Sequence, residues 1–133
     1  MKNMHHILIV DDDADDREII RDAFVQVSNH YEFSFHENGD VLIHNLQCLA
    51  PERSPSLILL DLNMPGKDGR ETLRELKSDQ RYRHIPIVIF TTSSSQRDRV
   101  MAYELGANCF VTKPDTFDKL TELARCLASL WLT

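Results

Sequence analysis

Three short runs of apolar residues carry no polar alternation: ILIV at 7–10, LILL at 57–60 and IVIF at 87–90. Uninterrupted runs of this length are typical of central strands in a parallel sheet, which are buried on both faces. A fourth run, YEFSFH at 31–36, alternates between apolar and polar residues, so we place it at an edge of the sheet.

Helical patterns separate these runs along the chain. The predicted strands cover 6–10, 31–36, 56–60, 86–90 and 109–112, and the predicted helices cover 14–28, 40–49, 70–78, 96–105 and 116–131. Asp13 and Ser95 are the expected N-caps of two helices. Ile19 of the first helix and Phe117 of the last are expected on buried faces. Strands alternating with helices predict an α/β fold, a doubly wound (βα)₅ domain over residues 1–133, with no output domain.

Composition and charge narrow the class of protein. The net charge of −6 argues against a general nucleic-acid binder, which needs a basic surface. No run is long enough for a signal peptide or a membrane span, and the three cysteines are scattered. We therefore expect a cytoplasmic protein with reduced cysteines in its core. His5 and His6 are expected to be structural rather than metal ligands.

Charged and hydroxyl residues follow four of the five predicted strands. Asp11 and Asp12 follow the first strand, Asp61 the third, Thr91 the fourth and Lys113 the fifth. Ligands of doubly wound sheets bind beyond the carboxyl ends of the strands, so these side chains should converge there. Three carboxylates that close repel one another unless a hard cation such as Mg²⁺ or Mn²⁺ lies between them. The pattern predicts a metal-assisted phosphoryl site with Asp61 as nucleophile.

Each of these residues has a simpler interpretation when it is taken alone. The run of aspartates at 11–13 could cap a helix, and Asp61 could begin a turn. Lys113 could lie in a solvated loop, and Thr91 could belong to a hydroxyl-rich one. The joint placement of all of them at strand ends favours a site.

Four segments carry a resemblance to a known family: ILIVDDD at 7–13, LILLDLNMPGKDG at 57–69, IPIVIFTTS at 85–93 and GANCFVTKP at 106–114. The chain resembles the receiver domain of two-component response regulators over nearly all its length. The resemblance implies a flavodoxin-like sheet of order 2-1-3-4-5. Within the family, the chain most resembles single-domain, chemotaxis-type regulators. Its motif sequences are most similar to those of regulators that partner phytochrome-type sensor kinases.

The resemblance also implies roles in phosphoryl transfer. Asp61 would accept a phosphoryl group from the phosphohistidine of a sensor histidine kinase. Asp11 and Asp12 would bind Mg²⁺ together with Asp61 and the backbone carbonyl of Asn63. Lys113 would pair with the phosphoryl group.

Further residues would convert phosphorylation into a change of shape. Thr91 would move to hydrogen-bond the phosphoryl group, and Phe110 occupies the position of the family's switch residue, often tyrosine. Phe110 could swing inward but lacks the hydroxyl, and the alternative is a plain core phenylalanine. Pro114 would follow a cis bond that aims the preceding lysine into the site. Ser93, like Asn63, would flank the phosphoryl group and tune its lifetime.

The resulting hypothesis is a phosphorylation-controlled switch that is no conventional enzyme, acts on an unidentified protein target, and binds neither nucleic acid nor membrane. One alternative is a Mg²⁺-dependent phosphohydrolase of the haloacid-dehalogenase type, but Ala14 and Asp15 break the required motif. The other is a receiver-like adaptor that works without phosphorylation. The protein would be a monomer or a phosphorylation-sensitive homodimer. Trp131 and Leu132 either form a partner face or cap the core.

Overall fold

The computed structural model describes residues 4–133. Five strands alternate with five helices along this part of the chain, and a 3₁₀ turn at Pro51–Arg53 precedes the third strand. The elements are β1 (His5–Val10), α1 (Ala14–Val27), β2 (Tyr31–His36), α2 (Gly39–Gln47), β3 (Leu57–Leu60), α3 (Gly69–Ser78), β4 (Ile87–Thr91), α4 (Gln96–Glu104), β5 (Cys109–Thr112) and α5 (Phe117–Trp131). The predicted bounds differ from these by two residues at most.

The five strands form one parallel sheet of order β2-β1-β3-β4-β5. The three unbroken apolar runs occupy its three central strands, and the alternating run is the edge strand β2, both as predicted. All four residues of β3 are buried, because helices cover both faces of the sheet.

Alternate residues of each strand contribute to two separate cores. Leu8 and Val10 of β1 join the side chains of α2, α3 and α4 on one face. Ile7 and Ile9 join those of α1 and α5 on the other. This arrangement confirms the doubly wound α/β fold, since crossover helices lie on both sides of the sheet.

A polar side chain caps the start of each of the five helices. The Asp13 carboxylate accepts from the amides of Asp15 and Asp16, and the Ser95 hydroxyl accepts from the amide of Asp98, as predicted for both caps. Asn38, Asp68 and Thr116 cap the other helices. The caps satisfy amides at helix N-termini that have no partner within the helix, and only three residues separate the end of β1 from the start of α1.

Some predicted burial is wrong. Ile19 and Phe117 are 45% and 44% exposed, and both line an open pocket with other residues of α1 and α5. The three cysteines are free, as predicted, but Cys48 and Cys126 are exposed, so their predicted core position is wrong, whereas Cys109 is partly buried and packs against the core on the α1 and α5 side.

Both chain ends of the described region pack as structural elements. The side chains of His5 and His6 lie within hydrogen-bond distance of the hydroxyls of Ser56 and Ser34, which supports the structural role predicted for both. Leu132 is buried and Trp131 packs against the core on the α1 and α5 side. The core interpretation of these two residues therefore holds in this structure. Between residues 4 and 133, no helix has the length and apolarity that crossing a membrane requires.

Candidate functional site

Three carboxylates meet at the carboxyl edge of the sheet. Ligand oxygens of Asp11, Asp12 and Asp61 all lie within 4.8 Å of one another. The amide of Asp11 donates to the carbonyl of His36, and that of Asp61 donates to the carbonyl of Val10, each over 3.0 Å. These bonds continue the ladder beyond the strands, so the carboxylates stand on rigid backbone. The predicted convergence is confirmed.

Lys113 joins the cluster from the end of β5. Its amide donates to the Thr91 carbonyl over 2.7 Å, which aligns the ends of β4 and β5. Its ammonium lies 2.7 Å from Asp11, 2.9 Å from Asp16 and 3.6 Å from Asp61. Burial lowers the pKa of Lys113, but hydrogen bonds to Asp11 and Asp16 outweigh burial, so the pKa lies well above its ordinary value. The side chain is a permanent cation at neutral pH.

The charge balance of the site is suited to a further cation. Asp61 is 7% exposed, and burial raises its pKa; the Lys113 ammonium opposes this shift, whereas the Asp11 carboxylate adds to it. Asp12 is exposed and can complete an oxygen ligand set. Oxygen ligands of this kind match the preference of Mg²⁺ and Mn²⁺. The residues present therefore fit a divalent ion.

The backbone of Asn63 lies close to the Asp61 carboxylate. Its backbone amide points to Asp61 Oδ1 over 3.4 Å, a long hydrogen bond. This contact places the backbone at the start of the loop after β3 beside the carboxylate. The predicted role of the Asn63 carbonyl as a metal ligand stays a prediction.

Thr91 and Ser93 differ in their relation to the site. Thr91 is fully buried at the end of β4, and its hydroxyl accepts from the Ser93 amide over 3.3 Å. The Ser93 hydroxyl instead donates to Asp98 of α4 over 2.7 Å. In the unphosphorylated protein the Ser93 hydroxyl therefore binds a carboxylate of the next helix, and its predicted place beside the phosphoryl group stays a prediction.

Phe110 is already buried in this structure. It is 4% exposed and its ring lies 4.9 Å from the Arg99 guanidinium carbon. Its backbone amide donates to the Tyr103 hydroxyl of α4 over 3.0 Å. No inward swing is needed to bury the ring, and whether Phe110 acts as a switch stays a prediction.

The bond between Lys113 and Pro114 is trans. Within residues 4–133 no peptide bond is cis, so the predicted cis isomer is wrong. The two isomers of a bond before proline differ little in intrinsic energy, and sequence alone is a weak guide to the choice. The lysine reaches the site through its long side chain and its ladder bond to Thr91.

Sequence reasoning missed three residues near the site: Asp16, Arg70 and Asp98. Asp16 pairs with Lys113, and Arg70 of α3 pairs with Asp98 of α4 over 3.1 Å. No local signal distinguishes Asp16 from Asp15, because both lie in the first turn of α1. Only the packing of α1 beside the loop after β5 selects Asp16. Asp16 also lines a cavity of about 420 Å³ together with Lys113 and apolar side chains of α1 and α5.

Comparison with known proteins adds a decisive match. Residues 7–125 fit the family model described as the response regulator receiver domain. The chain belongs to this family. The resemblance that the four motif segments indicated is confirmed, and the observed sheet order β2-β1-β3-β4-β5 is the one that this resemblance implied.

Relatives of this receiver domain include proteins of similar length. Response regulator Rcp1 of Synechocystis sp. is 34% identical over 129 residues, which cover 95% of this chain and 88% of that protein. The chain spans half or less of several other curated relatives.

Solved structures agree with this placement. The phosphorylated cyanobacterial phytochrome response regulator RcpA superposes with a TM-score of 0.88 at 33% identity, covering 98% of this chain and 96% of RcpA. The Mn²⁺-bound form of Rcp1 superposes with a TM-score of 0.83 at 36% identity, covering 96% and 94%. This chain is similar to both in sequence and in fold.

Proposed function

We propose that this receiver domain accepts a phosphoryl group on Asp61 from the phosphohistidine of a sensor histidine kinase, and that phosphorylation switches a protein-binding surface. The observation that carries the proposal is the placement of Asp61. It is a buried carboxylate at the end of a central strand, with one ammonium and two further carboxylates around it. A group so placed is a rigidly held nucleophile.

Asp11, Asp12, Asp61 and the Asn63 carbonyl would hold Mg²⁺, or Mn²⁺ in its place. The close approach of the three carboxylates supports this assignment, as does the Mn²⁺ named for the solved Rcp1 structure. A bound divalent ion supplies positive charge that neutralises phosphoryl oxygens during transfer.

The transfer itself needs one nucleophile and one leaving group. A carboxylate oxygen of Asp61 attacks phosphorus in line, and a new oxygen–phosphorus bond forms as the bond between phosphorus and the kinase histidine breaks. The leaving imidazole nitrogen keeps the electron pair. Lys113 stabilises the negative charge of the phosphoryl oxygens, since its ammonium is 3.6 Å from the acceptor carboxylate.

Thr91 would carry the signal away from the site. Its hydroxyl would turn to the phosphoryl group, which breaks its bond with the Ser93 amide and shifts the loop that leads to α4. Phe110 would respond as the second switch residue, because Arg99 and Tyr103 connect it to α4. Ordered segments that rearrange around a phosphoryl group are a common form of switch.

The output is binding to a downstream protein target. The proposed partners are a sensor kinase and this target, with no nucleic acid and no membrane. The protein would act in the cytoplasm as a monomer or as a homodimer that forms on phosphorylation. Light scattering with and without a phosphoryl mimic distinguishes these two states.

Intact mass after incubation with Mg²⁺ and acetyl phosphate tests the proposal. Wild type should gain one phosphoryl group, Asp61→Asn should gain none, and Asp22→Asn, which removes an exposed carboxylate of α1, should behave as wild type. Equal labelling of Asp61→Asn would show that the acceptor is wrong. An unlabelled wild type that also forms no beryllofluoride complex would favour the adaptor, and hydrolysis of a small phosphate ester, with many phosphates released per protein, would favour the phosphohydrolase.

A further inference from the structure

The ammonium of Lys113 lies near three carboxylates, and the proposed acceptor Asp61 is the most distant of the three. Nζ lies 2.7 Å from Asp11 Oδ2 and 2.9 Å from Asp16 Oδ2, but 3.6 Å from Asp61 Oδ2. The first two distances are those of charge-assisted hydrogen bonds, whereas 3.6 Å is too long for one. Lys113 is therefore bound more closely by Asp11 and Asp16 than by Asp61.

Asp16 reaches Lys113 because of where α1 begins. Asp13 caps the helix, which places Asp16 in its first turn, beside the loop that follows β5. Asp16 stands outside the cluster of carboxylates that could hold a metal ion. Asp16 can therefore influence the position of Lys113 without being a ligand of the proposed metal ion.

The two close contacts of Lys113 differ in strength. The side chain of Asp11 is 3% exposed and also accepts from the Asp13 amide over 2.9 Å, so it is held in place. The side chain of Asp16 is 37% exposed, and water screens an ion pair of this kind. When the ammonium moves, the contact with Asp16 is the one that yields.

We propose that Asp16 is a positioning residue that restrains Lys113 in the unphosphorylated protein and releases it when Asp61 carries a phosphoryl group. This inference rests on the proposed function. A phosphoryl group brings a charge of about −2 to Asp61 and draws the ammonium toward it. Because several anions compete for one cation, the pull of Asp16 opposes that movement. Asp16 thereby slows phosphorylation and shortens the life of the phosphorylated state.

The test compares Asp16→Asn with Asp15→Asn in the full chain. Both aspartates lie in the first turn of α1, so each variant removes one negative charge from the same helix end. Asp15 is exposed, and the carboxylates within 4.0 Å of the Lys113 ammonium are Asp11, Asp16 and Asp61. The difference between the two variants therefore isolates the contact with Lys113.

The readouts are the rate of mass gain at increasing acetyl phosphate with Mg²⁺ and the half-life of the label after the donor is removed. Relative to Asp15→Asn, Asp16→Asn should raise the maximal rate by about three- to tenfold and prolong the half-life by a similar factor; tenfold corresponds to about 1.4 kcal/mol. The half-saturating donor concentration should be equal in the two variants, since each removes one charge. Asp16→Glu, which restores a carboxylate, should return both quantities to within about twofold of wild type.

Two results would overturn the inference while leaving the proposed function intact. One is a labelled wild type with equal kinetics in Asp16→Asn and Asp15→Asn. The other is slower labelling in Asp16→Asn, which would make Asp16 a residue that aids the lysine. The first of these results, together with a lower melting temperature for Asp16→Asn alone, would show that the role of Asp16 is purely structural. A wild type that is not labelled overturns both proposals.

Discussion

The hydroxyl of Ser93 donates a 2.7 Å hydrogen bond to the carboxylate of Asp98. This bond ties the loop after β4 to the first turn of α4. The other Asp98 oxygen accepts from Arg70 of α3 over 3.1 Å, so one carboxylate links the loop to two helices. The loop is the segment that Thr91 must displace in the proposed switch, and this link opposes its movement.

Asp98→Ala should make the switch easier to operate. Loss of the link lowers the free energy needed to move the loop, so the phosphorylated state should become about two- to fivefold longer-lived, roughly 0.4–1 kcal/mol. Because the hydrogen bonds to Ser93 and Arg70 are lost, the free energy of unfolding of the unphosphorylated protein should fall by about 1 kcal/mol. The half-life of the mass label and urea unfolding measure the two effects.

Asp118→Asn provides the control for that variant. Asp118 lies in the first turn of α5 and is exposed, so this variant removes a comparable helix-terminal charge without touching the loop. If it prolongs the label as much as Asp98→Ala does, charge rather than the link controls the lifetime.

Gly69→Ala should damage the site through packing. A Cβ at this position would clash with the Asp61 carbonyl oxygen and lie 2.6 Å from the Cα of Leu62, and backbone atoms cannot move aside easily. We expect a loss of about 1–3 kcal/mol in the free energy of unfolding and slower phosphorylation, because Asp61 is displaced. Urea unfolding and the labelling rate are the measurements.

Gly66→Ala separates packing from backbone strain. Gly66 has a φ of +77°, but its Cβ would meet only an Asp40 oxygen at 3.7 Å. It should cost about 1 kcal/mol of strain and affect labelling less. A smaller effect for Gly69→Ala than for Gly66→Ala would contradict the packing account.

Divalent metal should stabilise the protein. Since Asp11, Asp12 and Asp61 repel one another without a cation, Mg²⁺ at about 100 times its dissociation constant should add about 2.7 kcal/mol and raise the melting temperature. A chelator should reverse the shift. Asp12→Asn should remove most of it, whereas Asp15→Asn should keep it. Equal shifts in the two variants would place the ion elsewhere.

Mild acid should destabilise the fold through His6. Burial lowers the pKa of His6, and Arg53 lowers it further while Glu32 opposes the shift. The folded state therefore binds the proton more weakly than the unfolded chain, so stability falls as the pH drops below about 6.5 and levels off below the folded pKa. Melting temperatures at pH 7.5 and 5.5 should differ less in His6→Gln, which can still bond Ser34. An unchanged pH dependence would exclude His6.

The fold was predictable because its signals are local and repeated. Unbroken apolar runs identify β1, β3 and β4, and the alternation of Tyr31–His36 identifies an edge strand. The caps Asp13 and Ser95 were predictable for the same reason, since a cap acts within three residues of its own position. The exposure of Ile19 and Phe117 was not, because it depends on how α1 and α5 pack and on the open pocket that both side chains line.

Some features of the site were likewise predictable from local sequence, and others depend on tertiary packing. Four site residues share one edge of the sheet because each lies at the end of a parallel strand or directly after it: Asp11, Asp61, Thr91 and Lys113. The strands and the residues at their ends can both be identified from the sequence. Which carboxylate binds the Lys113 ammonium is decided by tertiary packing alone. Asp16 is 97 positions from Lys113, and the pair forms only because α1 lies beside the loop after β5. Hydrogen bonds and ion pairs act over a few ångströms, so partners distant in sequence are chosen by how helices pack, and no local pattern encodes that choice.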